Sequence, residues 1–247
     1  MDKEIQDFFT APNLLLTATP QEKINVKADL KLSEAVSRIL GCGIYVVDYT
    51  KNEVVYISEN IAKMCGLPYK EITAENCGLY LKHVPDSDYK MLLEINGAVF
   101  SLFKTMTDEE ILKCCVSYNF HINHLLLHQS FTPIAVDNGF VRLGLFVLTL
   151  SSENKLGHIV LQQKNSKTFY EYSLEKHVWI PQEKITLSET EKRILCLSAQ
   201  GRTEDEIAGL LCKSSDSIKY HKKVLFKKLN VSNITEALIY AINNRFF

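Results

Sequence analysis

The spacing of apolar and polar residues changes character three times along this chain. Residues 1–18 place aromatics between short polar breaks and hold no clear period. Thr19-Pro20-Gln21-Glu22 then joins an N-cap, a proline at the first helical position and a capping-box glutamate, which predicts a helix start. Val36, Ile39 and Leu40 keep helical spacing over Ser33–Leu40, and Gly41-Cys42-Gly43 ends that run. From Ile44 the pattern becomes that of strands. Ile44–Tyr49 and Glu53–Ile57 are β-rich runs around a short Thr-Lys-Asn link, a hairpin pattern. Residues 58–75 read as short helices broken by Gly66 and Pro68, and a longer helix is predicted from Asp86 to about Thr105. Three strands follow at Ser117–Ile122, Leu125–Val136 and Val141–Leu150, with turns at Asn123-His124 and Asp137-Asn138-Gly139. Residues 159–164 and 168–173 predict one more hairpin, ahead of a linker around Pro181.

After Leu187 the helical period returns, punctuated by caps. Ser188 with Glu191 forms a capping box ahead of Ile194, Leu195, Leu197 and Ala199, and Gly201 stops that helix. Thr203 with Glu206 repeats the device ahead of Ile207, Ala208 and Leu211. Ser214 opens a third helix whose apolar stripe is Ile218, Leu225 and Leu229, and Ser232 is read as the cap of a fourth with Ile234, Leu238, Ala241 and Ile242. The second and third helices, joined by Cys212-Lys213, have the spacing of a helix-turn-helix.

The fold class implied is α+β: one antiparallel sheet with short helices, followed by an all-α four-helix domain. The domains expected are a helical extension over residues 1–32, a sheet domain over 33–173, a linker over 174–186 and a helix-turn-helix domain over 187–247.

Charge sharpens the difference between the two parts. The net charge of −1 hides 11 basic against 8 acidic residues in 183–247, a balance of +3, which leaves −4 for the rest. Residues 213–228 hold six lysines and one acid, Asp216. On the third helix Lys219, Tyr220, Lys223 and Lys227 fall opposite the Ile218/Leu225/Leu229 stripe when residues advance by about 100° each. A lysine there can donate to guanine O6 and N7 in a major groove or neutralise a phosphate, so double-stranded DNA is the implied partner. A solvated surface helix is the bland alternative, and its place as the second member of a capped helix pair weighs against it.

Two resemblances carry these readings further. Tyr45-Val46-Val47-Asp48-Tyr49, Val55-Tyr56-Ile57-Ser58-Glu59-Asn60, Gly66-Leu67 and His83-Val84-Pro85-Asp86-Ser87-Asp88 occur in the order of a PAS sensor domain, which residues 33–152 resemble. Leu187-Ser188, Glu191, Ile194-Leu195, Leu197, Gly201, Glu206-Ile207-Ala208, Leu211, Ser214, Ser217-Ile218-Lys219, His221, Lys228-Leu229, Val231 and Glu236-Ala237 resemble the LuxR-type helix-turn-helix across residues 186–242. The second resemblance implies that Lys219, Tyr220 and Lys223 read DNA and that Thr203, Ser217 and Lys227 hold phosphate. His221 is either a phosphate contact or an inward histidine that packs. Because that family dimerises through its last helix, Ile239, Tyr240 and Asn243 are the implied homodimer surface, with scattered surface hydrophobes as the alternative. The chain departs from the family at Thr190 and Val224, where Arg and often Asn stand, at Arg193, usually acidic, and at Ile234, usually Arg. Base preference is what those departures put in question.

Other chemistry finds little footing. His121, His124 and His128 are separated by the predicted turn at Asn123-His124, and no Cys or Asp cluster completes a metal shell, so no metal is expected. Asn76-Cys77 resembles the flavin-attacking cysteine of light-sensing PAS domains, but Gly78 replaces the following Arg, and Cys77 reads better as a structural cysteine; no cofactor is expected. No nucleophile elbow, phosphate loop, HExxH or paired-carboxylate motif stands out, which argues against an enzyme. Asp48 belongs to the first hairpin and not to a phosphoacceptor pocket. Seven cysteines with no CxxC pair fit a reducing compartment, the Met1-Asp2-Lys3-Glu4 start is unlike a signal peptide, and Leu143–Leu150 is too short to span a bilayer. The expectation is a cytoplasmic, dimeric transcriptional regulator without membrane contact, its PAS-like domain taking an unknown small-molecule or protein signal and its partners including RNA polymerase. The alternatives are an adaptor in which both modules serve protein assembly, and a photoactive or ligand-binding flavoprotein.

Overall fold

The computed structural model describes residues 26–74, 82–151, 155–243 and 246. The predicted helix start at Thr19 and the Asn76-Cys77 pair lie outside them. The chain divides into two compact units, residues 1–182 and 183–247.

In the first unit a helix, α1 (Val26–Leu40), crosses the expected boundary at residue 32 and leads into the hairpin β1 (Gly43–Asp48) and β2 (Glu53–Ile57). Two short helices follow, α2 (Glu59–Cys65) and α3 (Tyr69–Ala74), then the longer α4 (Asp86–Phe103). A five-residue helix, α5 (Asp108–Leu112), which the apolar pattern did not single out, sits behind a Thr107/Glu110 capping box. The carboxylate of Asp108 accepts from the backbone amides of Asn138 and Gly139 at 3.1 and 2.6 Å, so α5 pins the Asp137-Asn138-Gly139 turn. The remaining strands are β3 (Cys114–Ile122), β4 (Leu125–Asp137), β5 (Phe140–Leu150), β6 (Gly157–Gln163), β7 (Thr168–Ser173) and β8 (Val178–Glu183).

All eight join one sheet in the order β2-β1-β5-β4-β3-β6-β7-β8, antiparallel from β2 through β7. This is the α+β, PAS-like antiparallel sheet with short helices that the sequence implies. Residues 174–186, expected as a linker, instead contain β8, and the reason is Pro181. A proline in a run without alternation reads as a break, yet an edge strand tolerates a residue that cannot donate to a neighbour. Trp179 anchors this edge: its Nε1 donates to the Ala98 carbonyl at 3.3 Å and its ring meets Tyr172 edge-on at 5.0 Å.

Strand alternation fixes which face is covered. Tyr45, Val47, Tyr118, Phe120, Leu127, Phe131, Phe146 and Leu148 form a core with Leu92, Ile95, Val99, Phe100 and Phe103 of α4. The aromatic rings stack closely, Tyr45 on Phe146 at 4.4 Å and Phe131 on Phe146 at 4.7 Å. Glycine is required at position 144, because a Cβ there would lie 2.6 Å from the Phe131 ring. Polar groups inside this core satisfy one another. The Tyr45 hydroxyl donates to Gln129 Oε1 at 2.8 Å, and Gln129 Nε2 donates to the Tyr118 hydroxyl. Buried Asp88, at the start of α4, accepts from the His121 backbone amide at 2.7 Å and from the Ser87 hydroxyl, and its Oδ2 lies 2.9 Å from His121 Nδ1. His128 pairs instead with Asn119 at 2.8 Å, across the β3–β4 ladder from His121 and its acid. Among the described residues no group of three or more His, Cys, Asp or Glu is placed to hold a metal, six cysteines are unbridged, and no helix is long and apolar enough to cross a membrane.

In the second unit four helices follow one another: α6 (Glu189–Ala199), α7 (Glu204–Leu211), α8 (Ser215–Leu229) and α9 (Ile234–Asn243). Each starts where a side chain can take an orphan backbone amide. Ser188 and Thr203 make reciprocal boxes with Glu191 and Glu206, and Ser214 accepts from the Ser217 amide. The fourth cap is Asn233 and not Ser232. The Asn233 side-chain oxygen accepts from the Glu236 amide at 2.9 Å, while the Ser232 backbone amide donates to the Glu236 carboxylate at 2.7 Å. Two small cores hold the bundle, Ile194/Ile207/Ala208/Ile218 and Leu187/Leu195/Leu225/Leu229/Ala237/Ala241.

Candidate nucleic-acid interface

The turn that aims α8 is short and conformationally specific. Cys212 closes α7 in the left-handed region with φ 52°, and the Lys213 amide reaches back to the Ala208 carbonyl at 2.9 Å. Ser214 then caps α8, which begins at Ser215, so three residues separate the two helices. Ile218, Leu225 and Leu229 are buried against α6, α7 and α9, so the opposite side of α8 is turned to solvent.

That outward side carries the residues singled out from the pattern. Lys219, Lys223 and Lys227 follow one another at four-residue intervals and are exposed. Lys219 is 61% exposed, and the solvated Asp216 carboxylate lies 3.7 Å away. Tyr220 stands beside them at 67% exposure. Ser217 and His221 are half-buried at the margin of the face, and the His221 ring meets Tyr220 edge-on at 6.2 Å. Thr203 lies on the preceding helix, exposed, with its hydroxyl already engaged in the capping box.

Two further lysines of α8 do different work. Lys222 is only 13% exposed and donates to Glu204 at 3.2 Å. Lys228 donates to Glu191 at 2.9 Å, and Glu191 is buried. Burial raises the Glu191 carboxyl, but hydrogen bonds from the Ser188 backbone and hydroxyl and from Lys228 outweigh it and hold the group below the ordinary carboxylate range. The lysines of α8 therefore divide into an outward row of three and a carboxylate-paired two, half-buried Lys222 and exposed Lys228, which tie α8 to α7 and α6. Sequence spacing gave no sign of the acids involved, since Glu191 and Glu204 lie 37 and 18 positions from their partners. Beside the outward row, Glu204, Lys219, Lys222, Lys223, Phe226 and the start of α9 line a shallow groove of about 380 Å³.

The last helix differs from its sequence reading. Ile242, read as part of the buried stripe, is 66% exposed, whereas Ile239 and Tyr240, read as an outward pair, are half-buried. Tyr240 packs on the core and lies near parallel to the Phe246 ring at 6.2 Å. The small side chains of Ala237 and Ala241 allow α9 to approach closely along their line, which rotates the buried stripe away from Ile242. Asn243 ends the helix.

Comparison with known proteins bears on this unit most directly. Residues 185–241 match the model of the bacterial regulatory proteins of the luxR family. The regulatory protein SdiA of Escherichia coli is 39% identical over 57 residues, and the transcriptional regulatory protein LiaR of Bacillus subtilis is 40% identical over 65. These matches span 23% and 26% of this chain and only 24% and 30% of those relatives. Among solved structures, the phage VqmA–DPO complex aligns over 88% of this chain and 90% of that one, at 14% identity and a TM-score of 0.31. A crystal structure of Escherichia coli SdiA aligns over 92% of each, at 16% identity and a TM-score of 0.27. With the capped helix pair, its three-residue turn and the sequence match all on the same residues, the carboxy-terminal unit is a LuxR-type helix-turn-helix domain.

Proposed function

We propose that this protein is a DNA-binding transcriptional regulator, acting in the cytoplasm, in which the PAS-like unit senses a signal or partner and controls a dimeric LuxR-type helix-turn-helix. The observation that carries the reading is the outward row Lys219, Lys223 and Lys227 on α8 of a family-matched domain. In this reading α8 enters the major groove, Lys219, Tyr220 and Lys223 meet base edges, and Thr203, Ser217, Lys227 and His221 lie along the phosphates. Lys222 and Lys228 are held by carboxylates and serve to fix the angle of α8.

In this reading the dimer forms through α9, from Ile239, Tyr240 and Asn243, and Ile242, exposed on that helix, supports it. Two-fold symmetry would then set two half-sites. Domain roles follow the same division: residues 33–173 with β8 added as the sensing part, and 187–247 as the DNA-binding part. Signal control requires a ligand or protein that prefers one arrangement of the two recognition helices over another. RNA polymerase is the further partner such a regulator would engage.

Selection of genomic fragments by the full-length protein tests the function. The expected result is enrichment of fragments sharing a two-fold symmetric site, lost on replacing Lys219 and Lys223 together by Ala. Recovery of random fragments by both proteins, or of none, would refute it.

A further inference from the structure

The outward face of α8 is not uniformly cationic. At about 100° per residue, Lys219, Lys223 and Lys227 share one side of an exposed arc of roughly 140°, and Tyr220 and Val224 share the other. Tyr220 is 67% and Val224 39% exposed, and they stand one helical turn apart as an i, i+4 pair. The Val224 side chain can neither donate nor accept a hydrogen bond.

An isolated exposed valine needs no explanation. This one adjoins a tyrosine ring and a lysine row on the helix proposed to enter the groove. A major groove offers such a strip one apolar group, the C5-methyl of thymine. The amines beside it suit the phosphates and guanine edges that flank such a base.

We propose that Val224, with the ring of Tyr220, reads thymine methyl groups, so that the operator of this protein carries thymine at fixed positions in each half-site beside the base pairs met by Lys219 and Lys223. The inference rests on the DNA-binding reading above and adds a specificity-determining residue to it. Loss of one methyl contact corresponds to about a fourfold loss of affinity, from the transfer of one buried carbon out of water.

The test uses the full-length protein and a duplex obtained by selection, with each thymine replaced in turn by deoxyuridine. That change removes only the methyl and keeps the base pair. The expected result is a loss of about fourfold at one or two positions per half-site. Val224→Ala, whose side chain is exposed and outside both small cores, should weaken binding to the thymine duplex and show no further loss on deoxyuridine at one of those positions. Val224→Asn should shift the preferred base there in a repeated selection. Equal binding of the native protein to every deoxyuridine duplex, or the same thymine preference in Val224→Ala as in the native protein, overturns the inference while leaving DNA binding intact. Failure to select any duplex overturns the underlying reading and this inference with it.

Discussion

The two units of this protein hold themselves together by different means. The sheet unit buries large aromatic rings, with Phe103 and Phe120 almost wholly removed from water, and its buried polar groups close onto one another, as in the Tyr45/Gln129/Tyr118 chain. The helical unit has two small cores of aliphatic side chains and is drawn together by caps and ion pairs near its surface. The first stability is mainly non-directional and proportional to buried area. The second rests on smaller apolar cores to which directional contacts are added, part of them dependent on ionisation. A unit of the second kind leaves one face of a helix free for a charged partner while fixing that helix in place.

The largest effect should follow from breaking the aromatic core. Phe103→Ala should cost about 3–5 kcal/mol, read as a lower unfolding temperature of the sheet unit, with the helical transition unmoved. If both transitions fell together, the units would not be energetically separate. Next comes the pair of buried Glu191 with exposed Lys228. Glu191→Gln should remove about 2 kcal/mol from the helical unit in denaturant unfolding, because it weakens hydrogen bonds from Lys228 and from the Ser188 backbone to a charged acceptor.

The same carboxylate, together with Glu206 of α7, should give the helical unit an acid limb. The folded-state pKa of each is depressed, so the stabilisation is fully present above the unfolded carboxylate value and is lost as pH falls through the folded one. Glu191→Gln should flatten this limb in a pH series. A variant with the same acid limb as the native protein would remove Glu191 from the account. Smaller again, Ser214→Ala should cost about 1 kcal/mol by leaving the Ser217 amide without its partner, measured by the helical signal of the second unit.

The unequal legibility of the two units in the sequence follows from the same contrast. Caps join residues three apart, so Ser188/Glu191, Thr203/Glu206 and Ser214 could be read directly, and with them the order of α6, α7 and α8. The turns at Asn123-His124 and Asp137-Asn138-Gly139 likewise bounded β3, β4 and β5, because a turn signal is local to two or three residues. β8 escaped because Pro181 and the lack of alternation resemble a linker, and only its edge position makes the proline tolerable. Thr107 and Glu110 did carry a cap signal for α5, but a helix of five residues has too few apolar positions to show a period. In α9 the phase of the helix depends on the close approach of Ala237 and Ala241, a packing property that a count of apolar positions does not contain. At the candidate interface, helical geometry was enough to place Lys219, Lys223 and Lys227 on one side. Which lysines are neutralised was not legible, because the carboxylates that take Lys222 and Lys228 come from other helices.

The division of the lysines is also the most direct handle on DNA binding. Affinity for a selected duplex should be measured against salt concentration for the native protein, for alanine at each of Lys219, Lys223 and Lys227, and for alanine at Lys222 and Lys228. Each outward replacement that removes a phosphate contact should reduce the slope of log K against log salt by about one. Replacing Lys222 or Lys228, whose charges are already paired with carboxylates, should lower stability and leave the slope near the native value. A slope unchanged by all three outward replacements, or lowered equally by replacing Lys222 and Lys228, would contradict the claim that this face of α8 meets DNA.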